Sequence, residues 1–409
     1  MKFLTMEKKP PWEEVIADAD LLGEILLRLP AKSLLKSKCV CKQWLSIISN
    51  PVFRRNHVLR HHSPHSVPSA LLFSADYAPS PYLIAPLWNA GDDNDKVPSF
   101  DYLGVSAITI LRSCNGLLLC SAKSRPFLDD LRRRTRTIFQ RNFSIPRSRR
   151  STDVDVFRYF VCNPTIKQFV RIPIPNWEIP QDRNGFVFSL FLAYEPLKSP
   201  SYKVISLRRS IDNPDKLRID IYSSVTGIWS DPQVSFTPPL GMAIYRGVFC
   251  KGAIHWYSDD HYSLCFDVDS QCLKTMPMPP KKDDQLGARY FGESSSHLYI
   301  ILLDMVGLNF DVLEMEDNYS GWSVKYHASY ENKFSILSLI RGEKENDLTM
   351  VILSDGMVLS YNLKHQTLKE VKDLRPSPVM AIARFIKEYS SSEYSQGEVF
   401  QYFESLSSV

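Results

Sequence analysis

The chain has 409 residues, 44% hydrophobic and 23% charged, a soluble globular composition that has room for one small and one large domain and excludes general disorder. A net formal charge of +4 is too small, and too concentrated in a few stretches, to indicate nucleic-acid binding. The eight cysteines form no CxxC pair and no apolar run approaches the roughly 20 residues that span a bilayer, so the chain reads as reduced and intracellular, in cytoplasm, nucleus or both.

The opening MKFLTMEKKPPWEE lacks an apolar core of signal-peptide length. The segment ADADLLGEILLRLP then places Leu21, Leu22, Ile25, Leu26 and Leu29 at helical spacing, with Asp18 or Asp20 as N-cap and Pro30 as terminator. A second helix is predicted from Ser33 to Ile48, with apolar residues on more than one face. Asn50-Pro51 reads as a cap followed by the proline-tolerant first position of a third helix reaching to about Leu59. Three helices of this size bury too little surface to stand alone. They either cap a larger domain or need a partner surface.

The stretch LLGEILLRLPAKSLLKSKCVCKQWLSIISNPVF, residues 21–53, resembles the F-box, particularly its plant form. That resemblance implies insertion into the Skp adaptor of an SCF-type cullin ubiquitin ligase. The matching positions are Leu21, Ile25, Leu29, Pro30, Ser33, Leu34, Leu35, Val40, Cys41 and Trp44, implied as adaptor-contact or F-box core residues. The match departs from the family where most members carry a Leu-Pro pair and this chain has Ala17 and Asp18.

From about residue 67 the helical period gives way to short apolar runs separated by turn residues, in keeping with 27 prolines, 19 tyrosines and 22 phenylalanines. A unit recurs: a strand often led by Gly, a turn, a strand ending in an aromatic with Asn or Asp, a short turn, and a third strand. Clear copies are GLLLC with YFVCNPTIKQFVRIP, GAIHWY with SLCFDVDSQCLKTMPMP, and TMVILSDGMVLSYNLKHQTLKEV. The turns near Asn163, Ser223, Asp267, Asp311 and Asn362 lie roughly 45 to 60 residues apart, the length of a four-stranded propeller blade. The predicted fold is a small all-α head on a large all-β domain, a six-bladed β-propeller; a β-sandwich with long insertions is the alternative.

The phrases SCNGLLLC, VCNPTIKQFVRIP, GVFCKGAIHWY and CFDVDSQCLKTMPMP resemble the kelch-like F-box-associated interaction domain of plants. Domain limits are then 17–60 for the F-box, 61–104 for a linker and first strands, 105–390 for the propeller and 391–409 for a C-terminal tail. Resemblance implies a non-catalytic substrate receptor that bridges a Skp-type adaptor, and through it cullin and RING subunits, to a target protein. No cofactor, metal or membrane is implied.

Other features carry weaker signals. The basic run LRRRTRTIFQRNFSIPRSRR, residues 131–150, reads as a solvated loop insertion, with a nuclear-import signal or an acidic partner as alternatives. His57 and His61 have helical spacing suited to a metal, and His62 and His65 follow, but no Cys or carboxylate completes a set, so a solvated linker is the reading. Trp229, His255, Trp256, Tyr257 and Trp322 are assigned to packing between blades. Loops around 176–185, 209–216, 257–262 and 281–288 are the candidates for target recognition. No GxSxG, P-loop, HExxH or GxGxxG motif is present. The rival functions are a scaffold that binds the adaptor weakly or not at all, and a propeller with a small-molecule site in its channel.

Overall fold

The structure, a computed structural model, describes residues 18–61, 67–75, 82–86, 98–105, 108–122, 158–173, 187–210, 212–213, 215–280, 285–304, 306–342, 347–375 and 397–409. Four helices come first: α1 (Ala19–Leu26), α2 (Ala31–Ser37), α3 (Lys42–Ser49) and α4 (Pro51–His61). Asp18 caps α1 as its sequence predicts, accepting from the backbone N–H of Asp20 at 2.9 Å and Leu21 at 3.2 Å. Asn50 accepts from Val52 N at 2.8 Å, ahead of Pro51 at the first helical position, where a missing N–H costs nothing.

Between these caps the head differs from expectation, with four helices where three were predicted. The helix expected from Ser33 to Ile48 is two helices. Ser33 is not its cap, because α2 already starts at Ala31. The chain then turns through residues 38–40 and is extended at Cys41 (φ −160°, ψ 171°) before α3 begins. Val40 N bonds to Ser37 O at 3.1 Å and tightens the end of α2. The break brings Leu34 and Ile48 into one core with Leu22, Leu26, Phe53 and Val58, whereas a single straight helix would hold them about 21 Å apart along its axis.

The body is a ring of antiparallel sheets. Blade 1 holds β3 (Ile108–Cys114), β4 (Leu117–Ala122), β5 (Arg158–Asn163) and β6 (Gln168–Ile172) in that order. Blade 2 holds β7 (Val187–Ala193), β8 (Lys203–Arg209), β9 (Leu217–Ser223) and β10 (Ile228–Ser230), with β11 (Ser235–Phe236) also on β9. Blade 3 holds β12 (Val248–Cys250), β13 (Ala253–His255), β14 (Tyr262–Asp267) and β15 (Cys272–Pro277). Blade 4 holds β16 (Gln285–Ser294), β17 (His297–Asp304), β18 (Asn309–Met315) and β19 (Trp322–Ser329). Blade 5 holds β20 (Ser335–Arg341), β21 (Leu348–Ser354), β22 (Met357–Asn362) and β23 (Thr367–Asp373).

The last sheet joins β1 (Ala70–Ala75) and β2 (Tyr82–Pro86) to β24 (Gly397–Tyr402), from the other end of the chain. The architecture is the expected propeller with a different count: five full blades, plus a closing sheet of three described strands, in place of six full blades. The ring closes through the inner strands β3, β7, β12, β16, β20 and β24, each beside the next. An apolar core fills each junction, for example Leu119, Val161, Leu192 and Val204 between blades 1 and 2, and Tyr299, Ile301, Met350 and Ile352 between blades 4 and 5. Strands covered on both faces carry near-continuous apolar runs, such as LLLCSA in β4 and LYIILL within β17.

The C-terminal region also differs from expectation. Residues 391–409 were expected to be a tail, but β24 pairs with β1 along Ala70↔Tyr402 to Ala75↔Gly397. Joining the two chain ends in one sheet removes an open edge that either end alone would leave.

The repeating turns follow their expected chemistry at four of five places. Asn163 Oδ1 accepts from Thr165 N at 3.0 Å, Asp267 Oδ1 from Ser270 N at 2.9 Å, Asn362 Oδ1 from His365 N at 2.9 Å and Ser223 Oγ from Val225 N at 3.3 Å. Each turn ends in a left-handed residue: Lys167, Gly227, Gln271 and Gln366. Asp311 is the exception. It lies inside β18, and the turn of that blade falls at residues 316–321, between β18 and β19.

Candidate functional site

The propeller has two unlike faces. Hairpin turns at residues 115–116, 164–167, 224–227, 251–252, 268–271, 295–296, 316–321 and 363–366 lie on one face, cross-linked by pairs such as Lys251–Asp317 at 2.5 Å and Lys203–Asp269 at 3.0 Å. The helical head sits on this face, over blade 1. Arg54 Nε donates to Leu406 O at 3.1 Å and its Nη2 to Gln168 Oε1 at 3.3 Å, while Lys32 pairs with Glu404 at 2.5 Å. The connections between other strand ends lie on the far face, where Ala243 N bonds Tyr257 O at 2.8 Å and Tyr330 N bonds Leu308 O at 2.9 Å.

The residues matched to the F-box divide into two groups. Leu34 is fully buried in the head core, and Leu29, Leu35 and Trp44 pack against it half-buried. Leu21, Ile25 and Val40 are exposed to 50%, 48% and 60% of their surface, and Pro30, Ser33 and Cys41 are also exposed. Leu21 and Ile25 stand four apart on α1 and so share one face of it. Sequence reasoning passed over Leu45 on α3, and Val52 and Leu59 on α4, all exposed large apolar side chains. Their signal was apolar character beyond what one buried stripe per helix accounts for.

His57 and His61 are neither a linker nor a metal pair. The rings stack at 4.1 Å, and Nε2 of each meets a carbonyl at the end of α1, Leu29 O and Leu27 O, at 2.8 Å. A ring bonded to a carbonyl oxygen must donate its N–H there. Burial drives the His57 pKa down to about 4, so the ring is neutral near pH 7. His62 and His65, Ala17, and the basic run at 131–150 fall outside the described residues.

Two of the four loops singled out from sequence can be placed on the far face, and residues 285–288 of a third belong to β16. Residues 209–216 connect β8 to β9 and 257–262 lead from β13 into β14, whereas 176–185 and 281–284 fall outside the described residues. Leu240, exposed to 84%, tops this face, with its carbonyl accepting from Ser258 Oγ at 3.0 Å. Polar side chains of the inner strands bridge neighbouring blades: Arg112 donates to Ser189 Oγ at 2.9 Å and to Tyr245 O, and Gln401 Nε2 to Ser338 Oγ at 2.8 Å.

Aromatic residues act between blades. The Trp229 indole donates to Pro173 O and the Trp322 indole to Pro277 O, both at 2.8 Å, each reaching the proline that closes the outer strand of the preceding blade. Trp256 and His255 are fully buried and Tyr257 is half-buried. His255 Nε2 meets Tyr319 OH at 2.8 Å, and burial lowers its pKa to about 4.

Comparison with known families agrees with both parts of this architecture. The F-box domain model matches residues 19–56, and the model described as F-box protein At3g26010-like, beta-propeller, matches residues 149–332. The chain is an F-box protein with a β-propeller body. Over 411 residues it is 28% identical to the F-box protein At5g07610 of Arabidopsis thaliana, covering 88% of this chain and 87% of that one. The F-box/kelch-repeat protein At3g23880 of the same plant is 24% identical over 273 residues, 64% of this chain and 65% of its own length. Among solved structures, one described as YCF48 bound to D1 peptide aligns with TM-score 0.37 and 10% identity, over 76% of this chain and 84% of that one, too distant to argue from. No helix among the described residues is long and apolar enough to cross a membrane.

Proposed function

We propose that this F-box protein is the substrate receptor of an SCF-type ubiquitin ligase, docking a Skp-type adaptor on its helical head and a target protein on the far face of its propeller. The observation that carries this reading is the set of large apolar side chains left in water on a head whose core is already complete: Leu21, Ile25 and Val40. Each contributes about 1.5 to 3 kcal/mol on full burial before ordering costs, so a few of them suffice for a firm helix-in-groove complex. Asp18, at the departure from the family pattern, supplies the cap of α1 and so presents Leu21 and Ile25 on a formed helix.

The chain's part is proximity. The adaptor, cullin and RING subunits bring a ubiquitin-conjugating enzyme, and the propeller raises the effective concentration of the target's lysines near it. Head and far face lie on opposite sides of the propeller, so adaptor and target do not compete for surface. Of the four loops proposed for target recognition, 209–216 and 257–262 are the ones with described geometry.

The test is copurification with a Skp adaptor and cullin, comparing wild type with a Leu21→Asp, Ile25→Asp variant. Both substituted side chains are exposed, so the fold is expected to survive; Leu34 is unsuitable because it lies in the core. The wild type should copurify and the variant should bind at least about tenfold more weakly. Failure of the wild type to copurify, or equal binding by a folded variant, would sink the adaptor assignment.

A further inference from the structure

The core of the head is closed by a residue from the opposite end of the sequence. Leu406 is buried among Leu22, Leu26, Leu34 and Ile48, with Ile166 of blade 1 packed against the same cluster. Its neighbours are fixed on both sides. Asn163 Nδ2 donates to Ser405 O and to Ser407 O, each at 2.9 Å, and Ser405 N donates to Thr165 Oγ1 at 3.2 Å. Ser405 and Ser407 share a hydroxyl contact at 2.7 Å, and both are buried. Gly116 of the β3–β4 turn, at φ +88°, leaves this segment its space: a Cβ there would stand 2.5 Å from Ser405 Cβ. On the head side stand the Arg54 bond to Leu406 O and the Lys32–Glu404 pair.

We propose that residues 403–409 are a fixed strut that completes the F-box core and keys it to blade 1, so that head and propeller move as one body. Four short helices bury too little surface to hold a unique fold alone, and this segment supplies the missing apolar contact while its backbone is bonded to the propeller. The buried carbonyls of Ser405 and Ser407 are satisfied by Asn163, so sliding the segment would leave them unpaired. The strut therefore holds the head at one distance and angle from the far face. A ligase subunit built this way presents its target along a set direction rather than over a swept volume. The strut acts between head and propeller and does not depend on adaptor binding.

The test uses the full chain carrying spin labels at Ser46→Cys in α3 and Ser270→Cys in the β14–β15 turn, with Cys39, Cys41 and Cys272 replaced by Ser. Wild type is expected to give a single narrow distance distribution. Leu406→Ala should broaden it and speed amide exchange of residues 18–61 by about tenfold or more, leaving strands β12 to β19 unchanged. If Leu406→Ala does not yield folded protein, Lys32→Ala with Arg54→Ala loosens the joint without removing a buried apolar side chain, and should broaden the same distribution. A distribution that stays narrow in the folded variant measured overturns the strut.

Discussion

His57 binds the carbonyl of Leu29 at 2.8 Å and ties the last helix of the head to the end of the first. Its folded pKa is lowered to about 4 from an ordinary 6.5, and that of His255 in blade 3 likewise. The unfolded chain takes up these protons first, so stability is full above pH 6.5 and falls as the pH drops towards about 4. At pH 5 each site should cost about 1 to 2 kcal/mol. Denaturant unfolding at pH 7.5 and pH 5 would measure the loss, and amide exchange of residues 18–61 would report the His57 share. No change between the two conditions would contradict the buried neutral rings.

The left-handed turn residues set a second expectation. Lys167, Gln271 and Gln366 hold the conformation that Gly227 holds at the equivalent place in blade 2. A side chain there costs about 1 kcal/mol or more, partly offset by the greater freedom of an unfolded glycine. Gln271→Gly should raise stability by about 0.5 to 1 kcal/mol, read as an upward shift in the denaturation midpoint. Destabilisation by this substitution would show that the Gln271 side chain makes contacts worth more than the strain.

Asp267 couples such a turn to a charge. Its carboxylate is held well below the usual range by Lys274, 2.8 Å away, and by the Ser270 N–H. Asp267→Ala should cost about 1 kcal/mol at pH 7, mostly from the lost turn bonds, because the Lys274 pair is largely exposed. Thermal unfolding of wild type and variant at low and high salt would separate the two parts. A cost that vanishes in salt would assign it to the ion pair.

Blade 2 contains a buried pair, Arg208 and Asp220, joined at 2.7 Å and almost wholly out of water. Burial raises the Asp220 pKa even against the pull of Arg208. Asp220→Ala should destabilise by about 3 kcal/mol, because Arg208 loses its two-bonded partner and keeps the longer approach to Asp231 at 3.8 Å, whereas Arg208→Met with Asp220→Leu should lie far closer to wild type. Equal losses from the two variants in urea unfolding would refute this account.

Trp322 tests the bond between blades. Trp322→Phe removes the indole donor to Pro277 O while keeping an aromatic ring, and should cost about 1 to 2 kcal/mol. Amide exchange in β15 and β19 should rise together, since the bond joins their blades. An increase confined to one blade would argue against the latch.

The sequence by itself determined what is local. The caps Asp18 and Asn50, the side-chain-bonded turns at Asn163, Ser223, Asp267 and Asn362, and the apolar stripe of α1 all depend on residues within four positions of one another. Repetition of those turns at blade length then made the propeller legible, and the resemblance of residues 21–53 to the F-box pointed to the adaptor. Tertiary structure decided what depends on distant partners. The break at residues 38–41 exists because Leu34 and Ile48 share a core, and no spacing rule contains that. Leu34 and Leu21 look alike in sequence, yet one is core and the other surface, because only packing selects which side of a short helix meets Leu406. The pairing of β1 with β24 and the seat of residues 403–409 join positions more than two hundred apart. Such contacts are fixed by closing the ring, which removes a sheet edge and buries an apolar face at every junction, and that demand acts on the whole chain rather than on any segment of it.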